Sequence, residues 1–209
     1  MITNVTADLE NYLISEAFLK IQDFVVYDFS RNYVQMTRDR ADTREIVSEC
    51  LQKISLLLAP FAPYISEYSY RNFSKRSVHL ASWPKADRKK IDRNLESRFE
   101  LIMKIIEAGM ASRDKAGVNL RWPLAAATII GGDFKLKKDE EEIIKSQLNI
   151  RGLLYRESSA SIKDITVDLD TELTPELEAE GYARELSRIV QDFRKKLGLH
   201  KKDHIELYI

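Results

Sequence analysis

Apolar residues recur every three or four positions in four stretches of the first 115 residues. This spacing predicts a long helix over residues 8–41 and a second helix with Thr43 as its N-cap. A third helix is predicted to carry Pro63 in its first turn, where the missing N–H costs nothing, and a fourth covers 91–114. Four amphipathic helices with short connections predict an antiparallel helical bundle.

The apolar stripes identify candidate core residues, and the opposite faces are polar. On the first helix, Arg31, Gln35 and Arg38 lie opposite the apolar stripe. The predicted core positions are Phe18, Val25, Phe29, Tyr33 and Met36 in the first helix, Ile46, Val47, Cys50, Ile54, Leu57 and Leu58 in the second, and Leu95, Phe99, Ile102, Ile106 and Met110 in the fourth.

The pattern changes after Gly117. The segments LAAATIIGG, RGLLYRES and IKDITVDLD have the apolar runs of strands, and KKDEEEIIKSQLN has the pattern of a short helix. Thr174 followed by Pro175 predicts the start of a long helix that ends near Gly198. HIELYI alternates like a strand. These elements predict a small mixed α/β domain.

The expected fold class is therefore mainly α with a smaller α/β part. We assign residues 1–116 to the bundle and 117–209 to the α/β domain. The last predicted strand stops at Ile209 without a turn, so we expect this domain to be truncated. Its apolar residues Ile205, Leu207 and Ile209 should face the long helix, and an open apolar strand is compatible with weak self-association.

Composition narrows the function classes. The 33 basic and 33 acidic residues give no net charge, so a basic surface must come from local segregation. The single Cys50 excludes an internal disulfide and a cysteine-cluster zinc site, and we expect no metal site. No apolar run reaches about 18 residues and no signal segment precedes the first helix, which favours a cytoplasmic protein.

Motifs of catalysis are not found in the sequence. The pair Gly131–Gly132 is not followed by a Lys-Ser or Lys-Thr pair, so a phosphate-binding glycine loop is not predicted. No G-x-S-x-G motif occurs, and Cys50 lies among apolar neighbours. We therefore expect no catalytic residues and no cofactor in this chain, which is not an enzyme by itself.

Charge is segregated towards the C-terminus. Residues 164–180 contain seven acids and no bases, whereas residues 184–202 contain seven bases and two acids. The long helix carries an apolar stripe of Tyr182, Leu186, Ile189, Phe193 and Leu197 beside a polar stripe of Arg184, Arg188, Gln191 and Lys195. The basic residues either complement the helix dipole or form a row of phosphate contacts.

The segment ASRDKAGVNLRWPL, residues 111–124, raises a related question. Arg113 lies on the helical line of Ile102 and Ile106, where an unpaired arginine would be costly to bury. It must pair, cap carbonyl groups, or emerge beyond the core. Capping and an RNA contact are both open at this point.

Several segments resemble one family. The whole chain resembles the C-terminal third of class I isoleucyl-tRNA synthetases of archaeal or eukaryotic type. The resembling segments are LLLAPFAPYISE (56–67), SVHLASWP (77–84), ASRDKAGVNLRWPL (111–124), DTELTPELEAEGYARELSRIVQDFRKKLGL (170–199) and, more loosely, DFSRNYVQMTRDR (28–40). The resemblance implies an anticodon-binding region that positions isoleucine tRNA. The catalytic and editing domains have no counterpart here, so the ATP-dependent charging reaction would belong to the parent enzyme.

Recognition of unpaired bases requires stacking planes and polar groups. The predicted RNA-binding residues are Arg31, Asn32, Gln35, Arg38, Arg113, Asn119, Arg121, Trp122, Arg184, Arg188 and Lys195. One rival hypothesis is a protein-interaction module that docks a synthetase or scaffold, including the catalytic part of the synthetase. Another is an enzyme acting on charged tRNA, which would need a pocket with a base or nucleophile.

Overall fold

The computed structural model describes residues 1–38, 40–131, 134–156, 165–200 and 202–206. By contacts, the chain forms two compact units, Met1–Asp92 and Arg93–Ile209. The division differs from the predicted one after residue 116, because the fourth predicted helix packs against the sheet of the second unit.

The first unit is helical. Its helices are α1 (Ile2–Glu10), α2 (Ile14–Asp23), a π-helix (Phe24–Val34), α3 (Arg44–Leu58) and α4 (Pro63–Tyr70). Val5, Ala17, Ile21 and Leu57 are completely buried and form the core of this unit. The helical class predicted for this part of the chain is confirmed.

The first predicted helix, over residues 8–41, is wrong in its bounds. The chain is helical from Ile2, and Tyr12 interrupts it by adopting a left-handed backbone with φ of 59°. A local reversal of this kind leaves the apolar spacing on both sides intact, so the pattern did not reveal it. The π-helix then continues α2 without a break.

Two helix starts were predicted from capping residues in the first unit, and one of them has the expected geometry. Pro63 occupies the first turn of α4, as predicted. Thr43 precedes α3 but does not cap it, because its hydroxyl donates to the carbonyl of Arg40 at 3.0 Å.

Phe29 is buried, as predicted, and stacks against the half-buried Tyr33. Four other predicted core residues, Phe18, Ile46, Leu95 and Phe99, are instead exposed. Apolar residues at helical spacing therefore extend beyond the helix surface that neighbouring elements cover.

The second unit packs helices against a three-stranded sheet. Its elements are α5 (Arg93–Lys115), β1 (Leu124–Ile130), α6 (Lys138–Leu148), β2 (Ile150–Arg156), β3 (Thr166–Leu169) and α7 (Pro175–Lys196). The strand order is β2-β1-β3, with β1 parallel to β2 and antiparallel to β3. The predicted mixed α/β part is confirmed.

Helix α7 begins and ends as predicted. The Thr174 hydroxyl accepts a hydrogen bond from the Leu177 N–H at 3.4 Å, Pro175 occupies the first turn, and Gly198 follows the helix with φ of 69°. Its buried residues are Leu177 and Gly181.

The predicted apolar stripe on α7 is not part of the core. Tyr182, Leu186, Ile189, Phe193 and Leu197 are all exposed, with Phe193 at 62 %. In the part of the chain that the structure describes, the buried residues of α7 are Leu177 and Gly181 in its first turns, so most of the stripe lies beyond the covered surface.

The predicted C-terminal strand, HIELYI, is tested only in part. Residues 204–206 are not in a strand, and Ile205 is exposed. Residues 207–209 lie outside the described residues, so the register proposed for Leu207 and Ile209 is not addressed. In the part of the chain that the structure describes, no helix is both long and apolar enough to cross a membrane.

Candidate nucleic-acid interface

The backbone of the loop between α5 and β1 is hydrogen-bonded to the buried side chain of Arg113. Gly117, with φ of 66°, ends α5, and the Val118 N–H then donates to the Arg113 carbonyl at 3.0 Å. The Arg113 side chain is buried, with 2 % of its surface exposed. Its guanidinium donates to four backbone carbonyls, those of Asn119, Trp122, Leu148 and Asn149, at 2.9–3.1 Å.

The predicted RNA contact of Arg113 is therefore wrong, because its donors face backbone carbonyls inside the protein. Arg113 does bind carbonyl groups, but they belong to the following loop and to the end of α6, so it does not cap α5 as its place in the last turn suggested. Burial lowers the pKa of Arg113. The side chain joins three segments of the second unit.

Asn149 completes the support of this loop. It ends α6 in a left-handed conformation with φ of 50°. Its side-chain amide donates to the carbonyls of Leu120 at 2.8 Å and Arg121 at 3.3 Å. Together with the bonds from Arg113, the four successive carbonyls of residues 119–122 all accept hydrogen bonds. The loop backbone is therefore fixed, while the side chains of Asn119 and Arg121 are exposed.

Trp122 packs against α7. Its ring contacts the Tyr182 ring edge-on, with centroids 5.1 Å apart. A Cβ added at Gly181 would lie 2.4 Å from Trp122 Cε3, so α7 approaches the ring at a position where only glycine fits. This packing gives the half-buried Trp122 a structural role that the sequence did not indicate.

A surface groove of about 780 Å³ opens beside this loop. It is lined by Asn119, Leu120, Arg121, Glu142, Lys145, Ser146, Asn149, Ile150, Arg151 and Arg184. The fold thus brings together three of the predicted residues, Asn119, Arg121 and Arg184. It adds two cations, Lys145 and Arg151, that the sequence analysis did not select.

The groove cations form exposed ion pairs with nearby carboxylates. Arg121 lies 3.4 Å from Glu185, and Lys145 lies 3.0 Å from Glu142. Both Arg151 and Arg184 bind the same carboxylate, that of Glu180. Four cations therefore share three carboxylates. Exposed pairs of this kind contribute only about 0–1 kcal/mol, so a stronger anion can displace them.

The other two members of the predicted basic row do not line this groove. Arg188 donates to Glu185 and to Asp192, and the hydrogen bond from Arg188 lowers the pKa of Glu185. Lys195 lines a separate surface pocket at the C-terminal end of α7, together with Arg194. The predicted row of Arg184, Arg188 and Lys195 therefore does not form one surface: Arg184 lines the groove, Arg188 pairs with carboxylates of its own helix, and Lys195 lines another pocket.

The first unit carries the remaining predicted residues. Arg31, Gln35 and Arg38 are exposed, as predicted for the polar face, and Asn32 is half-buried. The Arg31 guanidinium carbon lies 5.2 Å from the centroid of the exposed Tyr27 ring. This pair belongs to the π-helix, a conformation that is frequent at functional sites.

Neither surface has the arrangement of a metal centre. Within the described ranges, no group of three or more His, Cys, Asp or Glu side chains is placed to hold a metal ion. Both surfaces instead offer exposed cations and amides.

Comparison with known proteins identifies the family. Residues 1–129, more than half of the chain, match the family described as the anticodon-binding domain of tRNA ligase. The chain belongs to this anticodon-binding family. The matched region includes the π-helix, α5 and the loop supported by Arg113.

Proteins named isoleucine–tRNA ligase match this chain over its whole length. An isoleucine–tRNA ligase of Dehalococcoides mccartyi is 31 % identical over 100 % of this chain and 23 % of the relative. The isoleucine–tRNA ligase of Thermococcus kodakarensis is 28 % identical over 100 % of this chain and 28 % of its own length. The chain therefore spans about a quarter of the length of these relatives. The predicted resemblance to the anticodon-binding region of isoleucyl-tRNA synthetases is confirmed.

Proposed function

We propose that this chain binds the anticodon stem-loop of an isoleucine-accepting tRNA. Membership of the anticodon-binding family and similarity to isoleucine–tRNA ligases along the whole chain support this function. The chain would contribute binding and orientation. Isoleucine and ATP would be bound by other parts of the longer ligases, and the chain would use no cofactor of its own. We place this binding in the cytoplasm.

The strongest structural support for this proposal is an exposed face of the first unit. Arg31 lies over the Tyr27 ring and presents a planar guanidinium next to an aromatic surface. Unpaired anticodon bases are recognised by stacking on such planes and by hydrogen bonds to their edges. The Gln35 amide can donate to and accept from a base edge, and Arg38 can bind a phosphate. Both side chains are exposed, Gln35 near the end of the helical segment and Arg38 in the turn that follows it.

Replacing Arg31 by alanine should weaken binding of a synthetic anticodon stem-loop by roughly 5- to 150-fold. The estimate follows because stacking contributes about 1–3 kcal/mol per base. Fluorescence anisotropy with labelled RNA measures the loss. Arg44→Ala is the matched control, because it removes the same charge from an exposed arginine on α3. If the two variants bind equally well, the proposed role of the Arg31 face is wrong.

A second candidate function is docking of a protein partner. The exposed stripe of Tyr182, Leu186, Ile189, Phe193 and Leu197 supports it, because contiguous exposed apolar surface marks interaction sites. The catalytic part of a synthetase would be one such partner. Failure of the chain to bind tRNA, together with retained binding of a protein partner through this stripe, would favour docking as the main function.

A further inference from the structure

We infer that the groove beside the loop of residues 119–122 binds the phosphodiester backbone of the tRNA, and that Lys145 and Arg151 are phosphate-binding residues. This inference rests on the proposed function and deepens it. It assigns to the second unit a contact that is independent of base identity, in addition to the base recognition proposed for the first unit.

Four different elements each place a cation at the groove. Arg121 comes from the loop, Lys145 from α6, Arg151 from β2 and Arg184 from α7. The volume of about 780 Å³ falls in the range of whole small-molecule sites, so the groove has room for a stretch of backbone rather than a single small ion. All four cations line this one groove, so a single ligand there can contact all of them.

The charge balance favours an anionic ligand. Glu180 is shared by Arg151 and Arg184, so neither arginine has a carboxylate of its own in these pairs. An arginine has five N–H donors, and its planar fork matches the oxygens of a phosphate. Phosphates can therefore displace the exposed carboxylate partners and satisfy more donors than Glu180 does.

The lining also indicates which part of RNA would bind. No aromatic side chain is among the described residues that line the groove, so it provides no stacking platform for bases. Apart from the Glu142 carboxylate, which is paired with Lys145, the polar groups are guanidinium, ammonium, amide and hydroxyl groups, all of which bind phosphate oxygens. The groove should therefore contact cognate and non-cognate tRNA equally.

The loop backbone is fixed before any ligand binds. Arg113 and Asn149 occupy the carbonyls of residues 119–122, so Arg121 projects from a rigid segment. Arg113 is thus a positioning residue for the groove, while Lys145 and Arg151 act directly on phosphates. A prepared backbone reduces the conformational entropy lost on binding.

The test compares two double variants of the full chain. Lys145→Gln/Arg151→Gln removes two groove cations, and Arg93→Gln/Lys104→Gln removes two exposed cations that do not line the groove. Both changes alter the net charge equally. Affinities for transcribed isoleucine tRNA and a non-cognate tRNA are measured as a function of salt concentration.

The plot of log affinity against log salt has a negative slope. The groove variant should make this slope shallower by about 1.4–1.8, at roughly 0.7–0.9 per phosphate contact. At 0.1 M salt this corresponds to a loss of about 25- to 60-fold for both tRNAs. The control variant should keep the slope of the unmodified chain.

The outcomes separate the groove from the wider function. If the unmodified chain binds tRNA and the groove variant keeps its slope, the inference about Lys145 and Arg151 is wrong and the proposed function stands. An equal loss of slope in both double variants would also contradict the groove, because it would indicate a diffuse charge effect. If the unmodified chain does not bind tRNA at all, the proposed function fails together with the inference.

Discussion

Arg113→Met is expected to lower the free energy of unfolding of the second unit by about 3–5 kcal/mol. The substitution removes donors from four backbone carbonyls, and a buried polar group left unsatisfied costs about 1–3 kcal/mol. The Asn149 carbonyl retains a bond from the Leu124 N–H and the Asn119 carbonyl retains one from the Trp122 N–H, so the four costs do not add fully. Urea unfolding followed by Trp122 fluorescence, in a Trp83→Phe background, reports this unit.

Two further variants separate geometry from charge. Arg113→Lys keeps the positive charge, but one ammonium group cannot reproduce the guanidinium fork, so only part of the loss should be recovered. Arg121→Met removes an exposed arginine from the supported loop and should change stability by less than about 0.5 kcal/mol. Equal stability of Arg113→Met and the unmodified chain would contradict the role given to these hydrogen bonds.

Leu57→Ala is expected to lower the free energy of unfolding of the first unit by about 2–5 kcal/mol. Leu57 has no exposed surface and packs with Val5, Ala17 and Ile21, so the deleted atoms leave a cavity. Urea unfolding followed by Trp83 fluorescence, in a Trp122→Phe background, reports this unit, because Trp83 packs against the same core.

Leu51→Ala is the matched control for this variant. Leu51 belongs to the same helix, loses the same atoms and is 36 % exposed, so its loss should be well below that of Leu57. A Leu57 variant that is no less stable than the Leu51 variant would show that the core does not centre on Leu57.

The sequence predicts those elements whose signals are local. The apolar run 124–130, the acidic start of α6 and the Thr174–Pro175 start of α7 each produce the expected element. These signals require only propensity and capping within a few residues. The chain reversal at Tyr12 has no such signal, because a non-glycine residue with positive φ is uncommon.

The candidate site was less predictable because tertiary contacts decide it. The sequence places Arg113 on an apolar line, but its partners Leu148 and Asn149 lie about 35 residues further along the chain. Lys145 and Arg151 are ordinary surface cations in their own elements, and only the parallel pairing of β1 with β2 brings them beside Arg121. The spacing of Arg184, Arg188 and Lys195 suggested one surface, whereas neighbouring carboxylates divide it.

The apolar stripe on α7 was predicted to be buried, and it is not. Its five apolar residues have the spacing of a buried face, yet they are exposed in the structure. Periodicity indicates that a face can be buried, but it does not identify the surface that covers it.

The central claim is that this chain recognises isoleucine tRNA, and a salt-dependent titration with cognate and non-cognate tRNA tests it most directly. Base-specific contacts from the first unit should make the affinity for isoleucine tRNA at least about fivefold higher, which corresponds to about 1 kcal/mol. Phosphate contacts from the groove should make both affinities fall steeply between about 50 and 200 mM salt. Equal affinity for the two tRNAs, or no binding of either, would contradict the account.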